Sequence, residues 1–272
     1  MLIAVADVIV LSVLQGLTEF LPVSSSGHLA LAEILFGLKE NNLALNVMLH
    51  AGTLFATLLV LRQRVLDLIL ATLRAVRRPS TLRDTPEGRD VAAVVVATLP
   101  TAALGLTLEP SVERWTHSPL VVGLGFLITG LLLLSVRWAR VGSREGFGLL
   151  GALAVGVAQG IAVLPGVSRS GTTIGAGLWL GVRPERAFEL SMLMSLPAVL
   201  GAVVLEAPAV LGASATLGPA VVGAAVSFGV GVAALLTLRR LVVRGSFPVF
   251  ALWVLPLAVA TLALARAWPA AP

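Results

Sequence analysis

The chain of 272 residues contains no cysteine. Thiol catalysis, cysteine-ligated metal and disulfide staples are therefore excluded. Charge is scarce too: Asp, Glu, Lys and Arg supply 12% of the residues, about half the ~25% usual in a soluble domain. Lys39 is the only lysine among nineteen basic residues, the rest being arginine. What fills the space is apolar, 57% of the chain, with a mean hydropathy of +0.99. Such a composition fits neither a disordered chain, nor a secreted disulfide scaffold, nor an ordinary cytosolic enzyme. A formal charge of +5 on so apolar a chain points to membrane topology and not to nucleic acid. The expectation is an all-α integral membrane protein forming one membrane domain over residues 1–272.

A cleaved signal peptide is not expected, because the first apolar run carries Asp7 and lacks a basic leader. A membrane-spanning helix needs about 20 apolar residues. By that measure six spans are expected near 43–61, 91–108, 119–137, 187–206, 216–238 and 247–267. Two further apolar stretches, 1–38 and 146–182, are interrupted in the middle by Pro, Gly and Ser.

Those interrupted stretches resemble each other. Residues 15–28 read QGLTEFLPVSSSGH and residues 159–172 read QGIAVLPGVSRSGT. With a one-residue gap on each side of the proline, both give Q-G, an apolar run, L-P and V-S-x-S-G. Internal duplication is characteristic of transporter-like membrane folds, and the expected repeats are about 1–137 and about 146–267. Arginine placement sets the orientation, since cytoplasmic loops collect basic residues. Arg62, Arg64, Arg74, Arg77, Arg78, Arg83 and Arg89 place the loop 62–90 inside. If both broken stretches are re-entrant helical hairpins, entering from opposite faces, the eight arginines of 137–144, 183–186 and 239–244 also fall inside. Lys39, Arg114 and Arg266 then face outward, and Arg169 alone stays within the membrane. The expected architecture is an inverted-topology repeat, six spans and two re-entrant hairpins meeting near the bilayer midplane.

The tips are then Pro22–His28 and Pro165–Thr173. Irregular backbone at that depth requires surrounding protein or a water-filled cavity. Each tip precedes a helix start rich in hydroxyls: Ser24, Ser25 and Ser26 on one, Ser168, Ser170 and Thr172 on the other. Two helix N-termini facing one cavity suit an anion such as phosphate. Arg169 is an intramembrane cation costing at least ~2.5–3.5 kcal/mol, a functional candidate by default. It either clamps phosphate bidentately or pairs with Glu19 to lock the hairpins, and the roles are compatible. Glu19 shares a helix face with Gln15; it is a metal ligand, an acid–base group or a neutral core residue. His28 is a candidate base beside the hydroxyls, the alternative being a structural role. Ser25 or Ser26 is the candidate nucleophile, with Ser24 a cap. Gln159 repeats Gln15. Asn46, His50 and Glu189 either line the cavity or make packing hydrogen bonds. Glu113 and His117 are expected in a short outer loop, and 64–78 reads as an amphipathic interfacial helix.

The motifs at 15–28 and at 165–173, P-G-V-S-R-S-G-T-T, resemble the two signatures of the bacterial undecaprenyl-pyrophosphate phosphatases, the bacitracin-resistance family. The resemblance extends over essentially the whole chain. It implies hydrolysis of undecaprenyl pyrophosphate to undecaprenyl phosphate and inorganic phosphate in the bacterial plasma membrane, with the active site open to the outer face. It also implies a divalent metal, Mg²⁺ or Ca²⁺, with Glu19 as a ligand. Carried over by motif position, Gln15, Glu19, Ser25, His28, Ser168, Arg169 and Thr173 are the important residues. Catalysis falls to Glu19, Ser25, His28 and Arg169. Substrate contacts fall to Gln15, Ser24, Ser26, Gly27, Gly166, Ser168, Ser170, Thr172 and Thr173. Gln15 stands where the pattern also allows Glu, which leaves one carboxylate in that motif. The expected partners are a polyprenyl pyrophosphate lipid and the bilayer, with a homodimer left open. A lipid or anion transporter is the rival reading. Phosphatidate-phosphatase-type chemistry needs a His six residues after the Arg, where this chain has Gly175.

Overall fold

A computed structural model of the chain describes residues 5–36, 43–140, 142–212 and 217–267. Its elements in order are α1 (Val5–Thr18), α2 (Ser25–Phe36), α3 (Leu43–Val60), α4 (Arg62–Arg77), α5 (Thr81–Asp84), α6 (Pro86–Thr116) and α7 (Pro119–Ser135). They continue with α8 (Gly148–Ile161), α9 (Arg169–Trp179), α10 (Pro184–Gly212), α11 (Leu217–Val243) and α12 (Ala251–Ala267). Among the described residues there is no β-strand, only an isolated bridge between Arg144 and Val182. Helices satisfy their own backbone groups, which is what a chain this apolar needs away from water. Start signals are visible in the sequence: Pro86 opens α6 behind Thr85, whose hydroxyl accepts from Gly88 N–H at 3.0 Å.

Five helices among the described residues are long and apolar enough to cross a membrane: Pro86–Val112, Pro119–Trp138, Pro184–Ala207, Gly218–Val243 and Phe247–Ala267. The sixth expected span coincides with α3, whose apolar part Leu45–Val60 is shorter. Helix α6 also runs on to Thr116, so the short loop expected around Glu113 is helical. Hydropathy stops at the charge of Glu109, but a helix continues past the apolar window wherever its hydrogen bonds do. Lys39 lies outside the described residues.

Helix α11 packs along α3 and α1, α6 packs along α8 and α10, α12 lies against α7, and α10 against α3. Backbones approach closely where a side chain is missing: a Cβ on Gly52 would sit 2.4 Å from the Ala224 carbonyl oxygen, and one on Gly156 2.3 Å from that of Ala97. Small residues at such contacts are the usual device of helices packed in lipid. Phe126, Leu133, Ile174, Phe188 and Leu190 form part of the buried centre. Leu99, Leu131, Leu205, Leu252 and Val259 are exposed on the outside of the long helices, an apolar exterior of the kind that marks contact with lipid or protein. Helix α4 exposes Leu66, Ile69, Leu73 and Val76 while burying Ala71 and Ala75.

An ion cluster ties the starts of α6 and α10 to α4. Arg186 is buried; its Nη2 donates to both carboxylate oxygens of Asp90 at 2.7 Å, and its Nη1 to Glu189 Oε2 at 2.7 Å. Arg64 Nη2 lies 3.1 Å from Glu189 and 3.7 Å from Asp90. Arg183 and Arg186 thus do more than bias topology: Arg186 bridges two helices, and Arg183 pairs with Glu145 at 3.0 Å.

Candidate active site

Two breaks in the helical path generate the site. Helix α1 ends at Thr18 and α2 begins at Ser25; α8 ends at Ile161 and α9 begins at Arg169. The duplicated V-S-x-S-G segments fold alike across the second half of each break. Ser24 Oγ accepts from Gly27 N–H at 3.2 Å, and Ser168 Oγ from Gly171 N–H at 3.1 Å. In each segment the two serine hydroxyls lie 3.3 Å apart. The next side chain bonds back to the capping carbonyl, His28 Nδ1 to Ser24 O at 2.8 Å and Thr172 Oγ1 to Ser168 O at 2.7 Å. The same residues at the same spacing produce the same N-cap twice. The copies differ in backbone: Ser24 takes φ of +68°, whereas Ser168 is extended at −80°. A left-handed serine stores roughly 1–3 kcal/mol of strain.

The two tips touch. A Cβ added to Gly27 would sit 2.8 Å from Gly166 Cα and 2.7 Å from the Phe126 ring. Gly166 itself has φ of +88°, a conformation that glycine adopts without steric cost. Thr129 on α7 pins this turn by donating to Gly166 O and accepting from Ser168 N–H, both at 2.9 Å.

The variable position of each V-S-x-S-G segment, Ser25 in one and Arg169 in the other, reaches the same carboxylate. Ser25 Oγ donates to Glu19 Oε2 at 2.8 Å, and Arg169 Nη2 donates to Glu19 Oε1. Gln15 Nε2 donates to Glu19 Oε2 at 3.1 Å, while Gln15 Oε1 is buried without a hydrogen-bond partner. Beside the pair lies a small cavity lined by Glu19, Thr53, Thr57, Arg169 and Ser195. Glu19 is buried; Ser25, Ser26 and Arg169 are half-buried.

Ser25 hydrogen-bonds Glu19, while the candidate base His28 bonds elsewhere. His28 directs Nδ1 at Ser24 O, and its Nε2 accepts from Trp253 Nε1–H at 3.0 Å. A carbonyl only accepts and an indole N–H only donates, so these partners select the neutral Nδ1–H tautomer. The ring also meets Phe126 edge-on, with centroids 5.3 Å apart. Ser168, Ser170, Thr172 and Thr173 are buried. The hydroxyl of Thr173 bonds Arg169 O at 2.9 Å and pairs with Ser191. Gln159 lies apart from its counterpart Gln15, donating to Thr101 Oγ1 at 3.1 Å and Met194 O at 3.3 Å. His50 approaches Glu19 Oε2 with Nε2 at 3.9 Å. Asn46 contributes its backbone oxygen to His50, and Glu189 belongs to the ion cluster. Thr129 and Trp253 were not distinguished from the sequence. Thr129 is a lone polar residue in an apolar span, which is a weak signal, and Trp253 carries none.

The family described as "Bacitracin resistance protein BacA" matches residues 8–260. An undecaprenyl-diphosphatase of Desulforapulum autotrophicum is 39% identical over 255 residues, covering 89% of this chain and 92% of the relative. One from Korarchaeum cryptofilum is 37% identical over 262 residues, covering 96% and 99%. A third, from Desulfosudis oleivorans, is 41% identical over 252 residues, covering 89% and 92%.

Proposed function

This chain belongs to the bacitracin resistance protein BacA family, and from that premise we propose that it hydrolyses undecaprenyl pyrophosphate to undecaprenyl phosphate and inorganic phosphate. It is a multi-pass membrane protein with a lipid-linked substrate, and it serves cell-wall synthesis and bacitracin resistance. The observation that carries the chemistry is the convergence of Ser25 and Arg169, one from each tip, on Glu19.

Before substrate arrives, Arg169 and Glu19 neutralise each other. A pyrophosphate is the better partner for a guanidinium, because it brings more charge and several acceptor oxygens. When Arg169 turns to the terminal phosphate, Glu19 is left with Ser25 and free to accept its proton. Ser25 Oγ then attacks the terminal phosphorus, forming a phosphoserine and breaking the bridging P–O bond. Undecaprenyl phosphate leaves and takes the proton held by Glu19, which restores the carboxylate. Glu19 then deprotonates the water that attacks the phosphoserine, and hands that proton to Ser25 Oγ as the P–O bond breaks and inorganic phosphate is released. Arg169 and the free N–H groups at the starts of α2 and α9 stabilise the charge that spreads over the phosphoryl oxygens. His28, held by Trp253, fixes the Ser24 turn that presents Ser25.

A divalent cation fits the donors available here. Glu19 supplies a carboxylate, and the buried amide oxygen of Gln15 lacks a partner. Among the described residues no three His, Cys, Asp or Glu side chains gather into a protein cage. Mg²⁺ commonly takes one or two carboxylates and completes its shell with substrate phosphates and water. At Glu19 such an ion would supply charge neutralisation for the pyrophosphate.

The architecture we propose is the inverted repeat, with α1–α2 and α8–α9 as re-entrant hairpins and α3, α6, α7, α10, α11 and α12 as spans. Reciprocal packing supports it. Helix α1 of the first half lies on α11 of the second, and α8 of the second lies on α6 of the first. The site then opens to the outer face of the plasma membrane.

Rapid-quench with substrate labelled in the terminal phosphate tests the chemistry. Acid-stable label should appear on the wild type and vanish in Ser25→Ala, which should also lose nearly all turnover. Label absent from the wild type while Ser25→Ala keeps substantial turnover would refute serine attack.

A further inference from the structure

The second histidine beside the site offers a nitrogen that nothing in the scheme above uses. His50 lies on α3, and its Nδ1 is 2.9 Å from the Asn46 carbonyl oxygen. Since that oxygen only accepts, Nδ1 carries the proton and Nε2 of the neutral ring keeps its lone pair. A backbone carbonyl holding Nδ1–H is the arrangement that orients metal-ligating histidines. Nε2 lies 3.9 Å from Glu19 Oε2. That is too long for a direct hydrogen bond, yet two ligand bonds of about 2.0–2.2 Å each reach across it with one ion between them. The other histidine near the site has no such nitrogen, because Trp253 holds His28 Nε2.

A second, independent feature lies on the residue that hydrogen-bonds this carboxylate. Gln15 is fully buried, and its Nε2 is committed to Glu19 Oε2. Its amide oxygen nevertheless has no partner, although buried polar atoms are nearly always satisfied.

We propose that His50 Nε2 and Glu19 Oε2 bind the divalent cation together. In this chain His50 supplies a ligand beside Glu19, whose neighbour in the first motif is the amide of Gln15 and not a second carboxylate. The donor set is then mixed nitrogen and oxygen. Imidazole favours first-row transition ions over Ca²⁺, so the site should prefer Mn²⁺ to Ca²⁺. This assignment rests on reading the site as a pyrophosphate hydrolase, and it is open to a test that does not depend on turnover.

The test is pulsed electron paramagnetic resonance of Mn²⁺, added with inorganic pyrophosphate to detergent-purified, [¹⁵N]histidine-labelled protein. The wild type should show the hyperfine coupling of one directly bound imidazole nitrogen. His50→Gln should lose that coupling and bind Mn²⁺ about 10–100-fold more weakly, with a smaller change for Ca²⁺. Mn²⁺ bound without imidazole nitrogen in the wild type, no Mn²⁺ bound at all, or coupling retained in His50→Gln would each overturn the assignment. The wild-type spectrum decides even if the variant folds poorly. Phosphate release by the same wild-type preparation separates the two ideas. Turnover without a nitrogen contact removes only His50, whereas a nitrogen contact without turnover removes the hydrolase.

Discussion

At the residue scale, the site reduces to one carboxylate shared by two tips. Glu19 is the buried acceptor, and Ser25 and Arg169 occupy the equivalent variable position in two copies of V-S-x-S-G. Replacing Arg169 by Ala leaves the carboxylate without its counter-charge and the transferring phosphoryl group without its clamp. Arg169→Ala should still insert and fold, yet lose more than roughly 100-fold in turnover, about 2.7 kcal/mol of transition-state stabilisation. Near-normal kcat in the purified variant would remove the phosphate-clamp role. The polar residues of the tips were legible in the sequence because they are rare in an apolar chain and sit at matched positions. Their pairing was not. Sequence proximity favours His28 as the partner of Ser25, three residues away on the same helix. The fold instead gives Ser25 to Glu19, on the other side of the break, and gives His28 to Trp253, 225 positions away. Thr129 and Trp253 come from distant helices, and no local pattern foretells which distant side chain will arrive at a tip.

At the element scale, capping decides the shape of the tips and an ion cluster holds the long helices in register. The caps were readable, since Ser followed three residues later by Gly-N–H is a local event. The cluster was not, since Arg64, Asp90 and Arg186 come from three helices and look in sequence like ordinary loop charges. Arg186 is buried with bidentate contact to Asp90 and a further bond to Glu189. Removing one partner of a buried ion pair typically costs ~3–5 kcal/mol, because the other charge is left unpaired. Arg186→Ala should therefore lower the thermal midpoint in detergent markedly, while Arg183→Ala, whose pair with Glu145 is exposed, should change it little. Equal midpoints for the two variants would show that the cluster does not hold α6, α10 and α4 together. Helix ends were the least legible elements: α6 outruns its apolar window at Glu109 and carries both Pro100 and Pro110 inside it.

At the scale of the whole molecule, apolar composition prescribes helices, five of them among the described residues long and apolar enough to span. The internal duplication we propose would account for the two matched breaks and for the packing of α1 on α11 and of α8 on α6. The inverted arrangement proposed above has a direct consequence in a chain without cysteine. Single cysteines placed at Ser80 and Ser143 should resist impermeant thiol reagents added to intact cells, whereas one at Ser118 should react. Labelling at position 143 from outside would break the inverted repeat. The central claim is that the meeting tips form one hydrolytic site for a pyrophosphorylated lipid. Inorganic phosphate released from undecaprenyl pyrophosphate by detergent-purified protein, with and without a chelator, measures it. The wild type should release one phosphate per substrate and should slow when divalent metal is removed. A folded wild-type protein that binds the lipid yet releases no phosphate in the presence of Mg²⁺, Ca²⁺ or Mn²⁺ would contradict it.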